Sequence, residues 1–319
     1  FILFVILYFL LNWAYKKLIT EKVALEFGSR KFRLKTHFYL TLLVIVVAGL
    51  GWLAIDYIKA EFTQNVKLQL ENDLGSANGR LEFWLKERKD FLKSLGHDQK
   101  LIHLTNELKE VSKNYNKEQY SIIHNTLSLY FKEHNYQGSS IINEEGINLD
   151  SADTSNVGKL NNIVKNKSEL LDKVFNGKVA FVPPLLSNNE SNDTNVINGA
   201  SLMYFLFPIE DIEHNVIAAV VQEIDPAFGF SEILQLSHVG ESGESYIFNR
   251  EGRMLSISRF ENELKTLGVF QFGESGTSYI EVRDPGGNLT TGHISKTPYN
   301  EQPLTLMAAS AIAGNKDVN

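Results

Sequence analysis

The chain has 319 residues, 43% of them hydrophobic and 22% charged, with a formal net charge of −7 at pH 7. That is long for one average domain, and the composition suits a packed core. The absence of cysteine excludes disulfides and thiolate metal sites, and the acidic balance argues against nucleic acid as a partner.

In chain order, residues 1–15 (FILFVILYFLLNWAY) read as the C-terminal part of a membrane span. The alternative, a signal-peptide core, would place its basic cluster before the apolar run and a small-residue cleavage site after it. Neither is found. The first methionine is Met203, so a translation start upstream of Phe1 is expected. Residues 16–37 carry seven basic side chains (Lys16, Lys17, Lys22, Arg30, Lys31, Arg33, Lys35) against Glu21 and Glu26. Such a loop is expected to stay in the cytoplasm.

Residues 38–55 form an 18-residue stretch without a charge, flanked by Lys35 and Asp56. At about 1.5 Å of rise per residue, the stretch nearly spans a hydrocarbon core of roughly 30 Å. Trp52 and Tyr57 sit where interfacial aromatics belong. A transmembrane helix over residues 38–58 is expected, with the rest of the chain on the far side of the membrane. From Lys59 onward 24 basic residues face 35 acidic ones, a balance near −11. A large acidic body placed there would meet solutes outside the cell.

A helical period follows at once, through Phe62, Val66, Leu70, Leu74, Ala77, Leu81, Trp84, Leu85, Phe91, Leu92 and Leu95. It predicts a stalk helix over residues 59–98, about 57 Å long if continuous to residue 96. Gly75 and Gly79 weaken its middle by roughly 1 kcal/mol each. The helix serves equally as a core element of a globular domain and as a relay continuous with the membrane span.

An internal match then appears at an offset of 106 residues. The stretch SSIINEEGINL starting at Ser139 aligns with SYIFNREGRML starting at Ser245, with six of eleven positions identical. Each copy reads as strand, tight turn and strand, with Gly146 and Gly252 supplying positive φ and Asn143 and Asn249 bonding back to the turn. Two copies a domain's length apart suggest a duplicated module. After the first copy come a helix near 168–175, a stop at Gly177 and a loop at Val182-Pro183-Pro184. Strands over 201–207 and 216–221, joined by an acidic turn from Glu210, and a helical exit over 227–236 complete it. After the second come a helix near 260–267, a strand over 277–282, a turn at Asp284-Pro285-Gly286-Gly287-Asn288, a strand over 289–294 and a helix over 304–313. The last strands of that copy are expected to be missing.

This order, together with Gly240-Glu241-Ser242-Gly243 before the second hairpin, Ser258-Arg259-Phe260 and Arg283-Asp284-Pro285-Gly286-Gly287, resembles the double Cache family of extracytoplasmic sensors. The resemblance covers residues 59–319. It implies an α+β fold: transmembrane helices and a long stalk helix carrying two PAS-like antiparallel-sheet modules, the second truncated. The membrane-distal module would occupy 99–236 and the membrane-proximal one 237–319. It further implies small-molecule sensing across the inner membrane, with residues 59–319 periplasmic or extracellular, as the input region of a sensor kinase, nucleotide cyclase, phosphatase or chemoreceptor. The expected partners are a small-molecule ligand, the lipid bilayer and a second copy of the chain through the stalk. A ligand-free dimerisation or periplasmic-protein interaction module, and an accessory domain of a membrane enzyme or transporter, are the alternatives.

No catalytic constellation is evident, and no cofactor or metal is expected. Gly240-Glu241-Ser242-Gly243 lacks the final glycine of a hydrolase nucleophile turn, since Glu244 stands there. The eight histidines (His37, His97, His103, His124, His134, His214, His238, His293) show no metal-ligand spacing. Ligand-contact candidates in the distal module are Asp150, Ser151, Asp153 and Tyr204. Amino-acid-binding relatives carry an Arg and a Trp-Tyr pair where Tyr130-Phe131-Lys132 and Tyr136 stand, so no α-carboxylate clamp is evident. In the proximal module the candidates are Tyr246, Arg253 and Arg259. Arg259 suits either a bidentate carboxylate clamp or a surface pair with Glu261 or Glu263.

Overall fold

The computed structural model describes residues 13, 30–113, 116–134, 138–165, 167–186, 201–236, 243–266, 277, 280–287 and 292–315. Apart from Trp13 the expected first span lies outside them, as do most of the basic loop and Gly240-Glu241-Ser242. The chain divides into two units, residues 1–69 and 70–319.

Helix α1 (Arg30–Leu95) is 66 residues long. The end of the expected basic loop forms its first turns, because no proline or glycine stands between Arg30 and Val47 to stop a helix. Within α1 an 18-residue window has a mean hydropathy of 2.4 and none of it is buried. It is the one described helix long and apolar enough to cross a membrane.

In the second unit α1 changes character. Leu81, Trp84 and Leu85 pack against a core that Leu92 and Leu95 enter outright. Helices α2 (Gln99–Lys113) and α3 (Lys117–Glu133) follow. The Asp98 carboxylate accepts from the Leu101 amide at 3.0 Å at the start of α2, and Asn116 caps α3 through the amides of Glu118 and Gln119. Such caps satisfy amides that the first turn leaves without a helical partner.

The sheet comprises β1 (Gly138–Ile142), β2 (Asn148–Ser151), β3 (Ala180–Leu186), β4 (Ser201–Glu210) and β5 (Val216–Ile224). It is five-stranded in the order β2-β1-β5-β4-β3, with all pairs antiparallel. Between β2 and β3 lie α4 (Asn162–Lys165) and α5 (Glu169–Phe175). The two faces carry separate cores. Ile141, Met203, Phe205, Phe207, Ile209, Ala218 and Val220 meet α1, α2 and α3. Ile142, Tyr204, Leu206, Ala219 and Val221 meet Val164, Leu170 and Val174 of α4 and α5. Alternate residues of a strand face opposite sides, so β4, covered on both, reads as an almost unbroken apolar run.

One expectation is corrected. Val182-Pro183-Pro184 is not a loop but part of β3, paired with β4 through a register shift between Val182 and Leu185. β3 is an edge strand, where proline's missing amide costs no ladder bond, and the irregularity absorbs both rings. Gly177, at φ 73, ends α5 as expected.

The two hairpin turns share one geometry. The Asn143 and Asn249 amides donate to the Ile147 and Arg253 carbonyls, and their side-chain oxygens accept from the same two residues' amides at 2.8 and 2.9 Å. Gly146 and Gly252 take φ 79 and 80. The first turn joins β1 to β2 within the sheet. The second is held by isolated bridges, Phe248 to Met254 and Arg253 to Glu281, outside the named strands. Beyond it come α7 (Glu261–Thr266) and α8 (Leu306–Ile312), the latter capped by Thr305. The exit from β5 is a wide turn over Ala227–Ser231 leading into α6 (Glu232–Gln235). There Gly229 has φ 77, and a Cβ would lie 2.7 Å from the Trp84 indole nitrogen.

Candidate functional site

The four distal candidates do not form one cluster. Asp150 pairs in register with Ile141 and shares its face, toward α3. There its Oδ1 accepts from the Tyr120 hydroxyl at 2.7 Å and meets His124 Nδ1 at 2.8 Å. The Tyr120 and His124 rings stack, with centroids 5.8 Å apart. Ser151 is on the opposite face, where its hydroxyl accepts from Ser140 at 3.0 Å. Asp153 caps the short 3-10 turn Thr154–Asn156 through the Ser155 amide. Tyr204, in the core against α4 and α5, is remote in facing from Asp150.

A cavity of about 320 Å³ opens beside Asp150, lined by His124, Ser128, Phe131, Lys132, Ser139 and Ala152. Its floor is fixed. Ser139 donates to Gln222 Oε1 at 2.8 Å, and the fully buried Gln222 amide donates to the Gly138 and Glu223 carbonyls, each at 2.8 Å. Both contacts to Asp150 fall on Oδ1, so among the described residues Oδ2 keeps its capacity to accept. The volume falls in the range of small-molecule pockets, and the lining mixes a phenyl ring, an imidazole, two hydroxyls, an acid and a lysine. Of the sequence candidates, only Asp150 lines this cavity; no local pattern marks its neighbours His124, Ser128 and Ser139 as partners, because α3 and β1 approach β2 only in the folded chain.

On the other face Glu223 stands in register between Gly138 and Tyr204. It reaches solvent, yet the protein around it desolvates its carboxylate and raises the pKa above the usual 4.5. Burial first, then the Glu223 charge, also raises the Tyr204 phenol. The folded state therefore holds the Glu223 proton more tightly than the unfolded chain does. This contribution to stability is complete below the ordinary carboxylate pKa and is lost as pH rises through the folded one. Glu223→Gln is expected to raise the melting temperature at pH 7 and to flatten the fall in stability from pH 4.5 upward. Thermal melts across that range check it; parallel wild-type and variant curves would contradict it.

In the second copy, burial first and then Glu244 raise the Tyr246 phenol. Glu244 also accepts from the Arg259 amide at 2.8 Å. The Arg259 guanidinium donates to the Gly243 carbonyl at 2.9 Å and lies 5.0 Å from the Phe260 ring centroid. Arg253 instead pairs with Glu281 at 3.4 Å. Tyr246 and Arg259 thus share Glu244, while Arg253 belongs to a separate ion pair.

No family model matches the chain, and no curated protein matches it either. Solved structures similar to it are sensor domains. That of the V. cholerae histidine kinase DctB is 13% identical, with a TM-score of 0.37, covering 52% of this chain and 57% of that one. The sensory domain of the Campylobacter jejuni chemoreceptor Tlp3 with isoleucine bound is 12% identical, with a TM-score of 0.41, covering 66% and 76%. The E. coli DcuS sensor domain is 12% identical, with a TM-score of 0.32, covering 50% and 97%.

Proposed function

We propose that this chain is the membrane-anchored input region of a transmembrane signalling receptor, binding a small polar solute outside the membrane. The observation that carries this reading is one helix doing two jobs. α1 holds the apolar window and also inserts Leu92 and Leu95 into the core beneath the sheet. A change in how that core packs is felt by α1 directly. Binding biases such a change only through a difference in affinity between two packings.

In this reading residues 99–236 are the ligand-binding module and 237–319 a second, membrane-proximal one. The apolar window lies in the bilayer, and the exposed Phe62, Leu70 and Leu74 meet a second copy of the chain. The solute enters the cavity beside Asp150 and donates a hydrogen bond or presents a positive group to Oδ2. Lys132, exposed at the rim, suits an anionic end of the same molecule.

The test is a thermal-shift screen of the full chain in lipid nanodiscs against small organic acids, amines and amino acids. A solute at 100 times its Kd is expected to stabilise the fold by about 2.7 kcal/mol. Asp150→Asn keeps the side-chain volume and is expected to weaken that solute at least tenfold, as the loss of one charged hydrogen bond of about 1.5–3 kcal/mol implies. A panel that stabilises nothing favours a ligand-free interaction module, and undiminished binding by Asp150→Asn removes this cavity as the site.

A further inference from the structure

Three residues far apart in sequence meet where α1 ends. His97 follows α1, Glu210 ends β4, and His214 sits in the turn between β4 and β5. His97 Nε2 lies 3.1 Å from Glu210 Oε2, and His214 Nδ1 lies 3.6 Å from the same oxygen. One donor atom from each residue falls within 4.8 Å of the others.

The protein holds each of them in place. A register shift between Ile209 and Glu210 turns the carboxylate out of the regular ladder, and the Glu210 amide donates to the Gly96 carbonyl at 3.1 Å. Its side chain is only 10% exposed. His214 has φ 65 and is the one non-glycine residue with positive φ among those described. Asp211 fixes that turn, accepting from the Glu213 and Asn215 amides at 2.9 and 2.8 Å.

The orientation of His97 suits a metal ligand. His97 Nδ1 lies 2.8 Å from the Lys93 carbonyl oxygen, which only accepts, so Nδ1 carries the proton. Its other nitrogen, Nε2, points at the Glu210 carboxylate oxygen 3.1 Å away. A metal ion between them would be bound by both. A backbone carbonyl holding the far nitrogen is also how metal-binding histidines are oriented. The C-terminal end of α1, where backbone carbonyls concentrate negative potential, favours a cation at the same place.

We propose that His97 Nε2, Glu210 Oε2 and His214 Nδ1 form a binding site for a divalent transition-metal ion of the zinc type. Tetrahedral zinc at about 2.0–2.2 Å from N and O ligands sets its donors about 3.3 Å apart. The two measured separations bracket that value, and the exposed His214 ring can close the remaining gap. Two imidazoles and one carboxylate suit zinc, cobalt or nickel rather than calcium or magnesium, which take oxygen ligands. Three protein ligands leave a fourth position for water or a solute group. The ion would fasten the end of α1 to the β4–β5 turn.

The experiment titrates Co²⁺ into the full chain in nanodiscs, follows its visible absorption, and then displaces it with Zn²⁺, Mg²⁺ or Ca²⁺. One Co²⁺ per chain with a tetrahedral spectrum is expected, displaced by Zn²⁺ but not by Mg²⁺ or Ca²⁺. His214→Ala removes an exposed side chain and Glu210→Gln is isosteric. Each is expected to weaken Co²⁺ at least tenfold, while His214→Ala melts like the wild type in the absence of metal. If no Co²⁺ spectrum develops, the proposal is overturned. It is equally overturned if Co²⁺ binds but His214→Ala binds it as tightly as the wild type.

Discussion

Replacing Phe205 with alanine is expected to destabilise the sheet domain by about 3–5 kcal/mol, the range for deleting a fully buried phenylalanine. Phe205 is 0% exposed on β4 and lies in a group of four rings. Its centroid is 6.1 Å from Trp84 of α1 and 4.9 Å from Phe181 of β3. Phe230, in the turn after β5, stands 6.1 Å from Trp84 and 6.5 Å from Phe181. The tilted and edge-on geometries are those in which aromatic pairs gain about 0.5–1.5 kcal/mol beyond the burial of area. Deletion therefore loses transfer energy, leaves a cavity, and loosens the contact by which α1 touches the sheet. Phe205→Leu, which keeps most of the volume, is expected to cost under about 1.5 kcal/mol. Urea unfolding checks both values. A loss below 1 kcal/mol for Phe205→Ala would mean that the four rings are not packed against one another.

The parts of this fold that the sequence displays are the local ones. The paired turns were legible because Asn143 with Gly146, and Asn249 with Gly252, use chemistry contained within five residues. The helix was legible because its apolar residues keep a period of three and four. β3 hides in the sequence because Pro183-Pro184 is a strong turn signal, and only a position at the sheet edge makes it harmless. The candidate site was barely legible. Alternation along a strand places Asp150 and Ser151 on opposite faces but does not say which face meets α3; that depends on pairing with β1 and β5. His97 and Glu210 are 113 residues apart and meet only because α1 ends against the last residues of β4. No spacing rule finds such a group, since the distances between its members are set by the tertiary fold.

That junction is also where the smallest substitution should do most harm. A Cβ on Gly96 would overlap the Pro208 carbonyl oxygen and lie 3.2 Å from its carbon. Backbone on both sides leaves no flexible side chain to move aside. Gly96→Ala is expected to cost about 2–4 kcal/mol, roughly 1–3 from forced separation and about 1 from the Glu210-to-Gly96 hydrogen bond it strains. Gly75 and Gly79 are the contrast. Both lie inside α1 with nothing within 4 Å of an added Cβ. There alanine is expected to stabilise the helix by about 0.5–1 kcal/mol. Thermal melts of the three variants in nanodiscs make the comparison, and a Gly96→Ala melt matching the wild type would show that α1 is not seated on β4. The opposite signs follow from one cause. A glycine in open helix only adds disorder to the unfolded chain, whereas Gly96 is what lets the end of α1 reach β4, so that His97 stands within reach of Glu210.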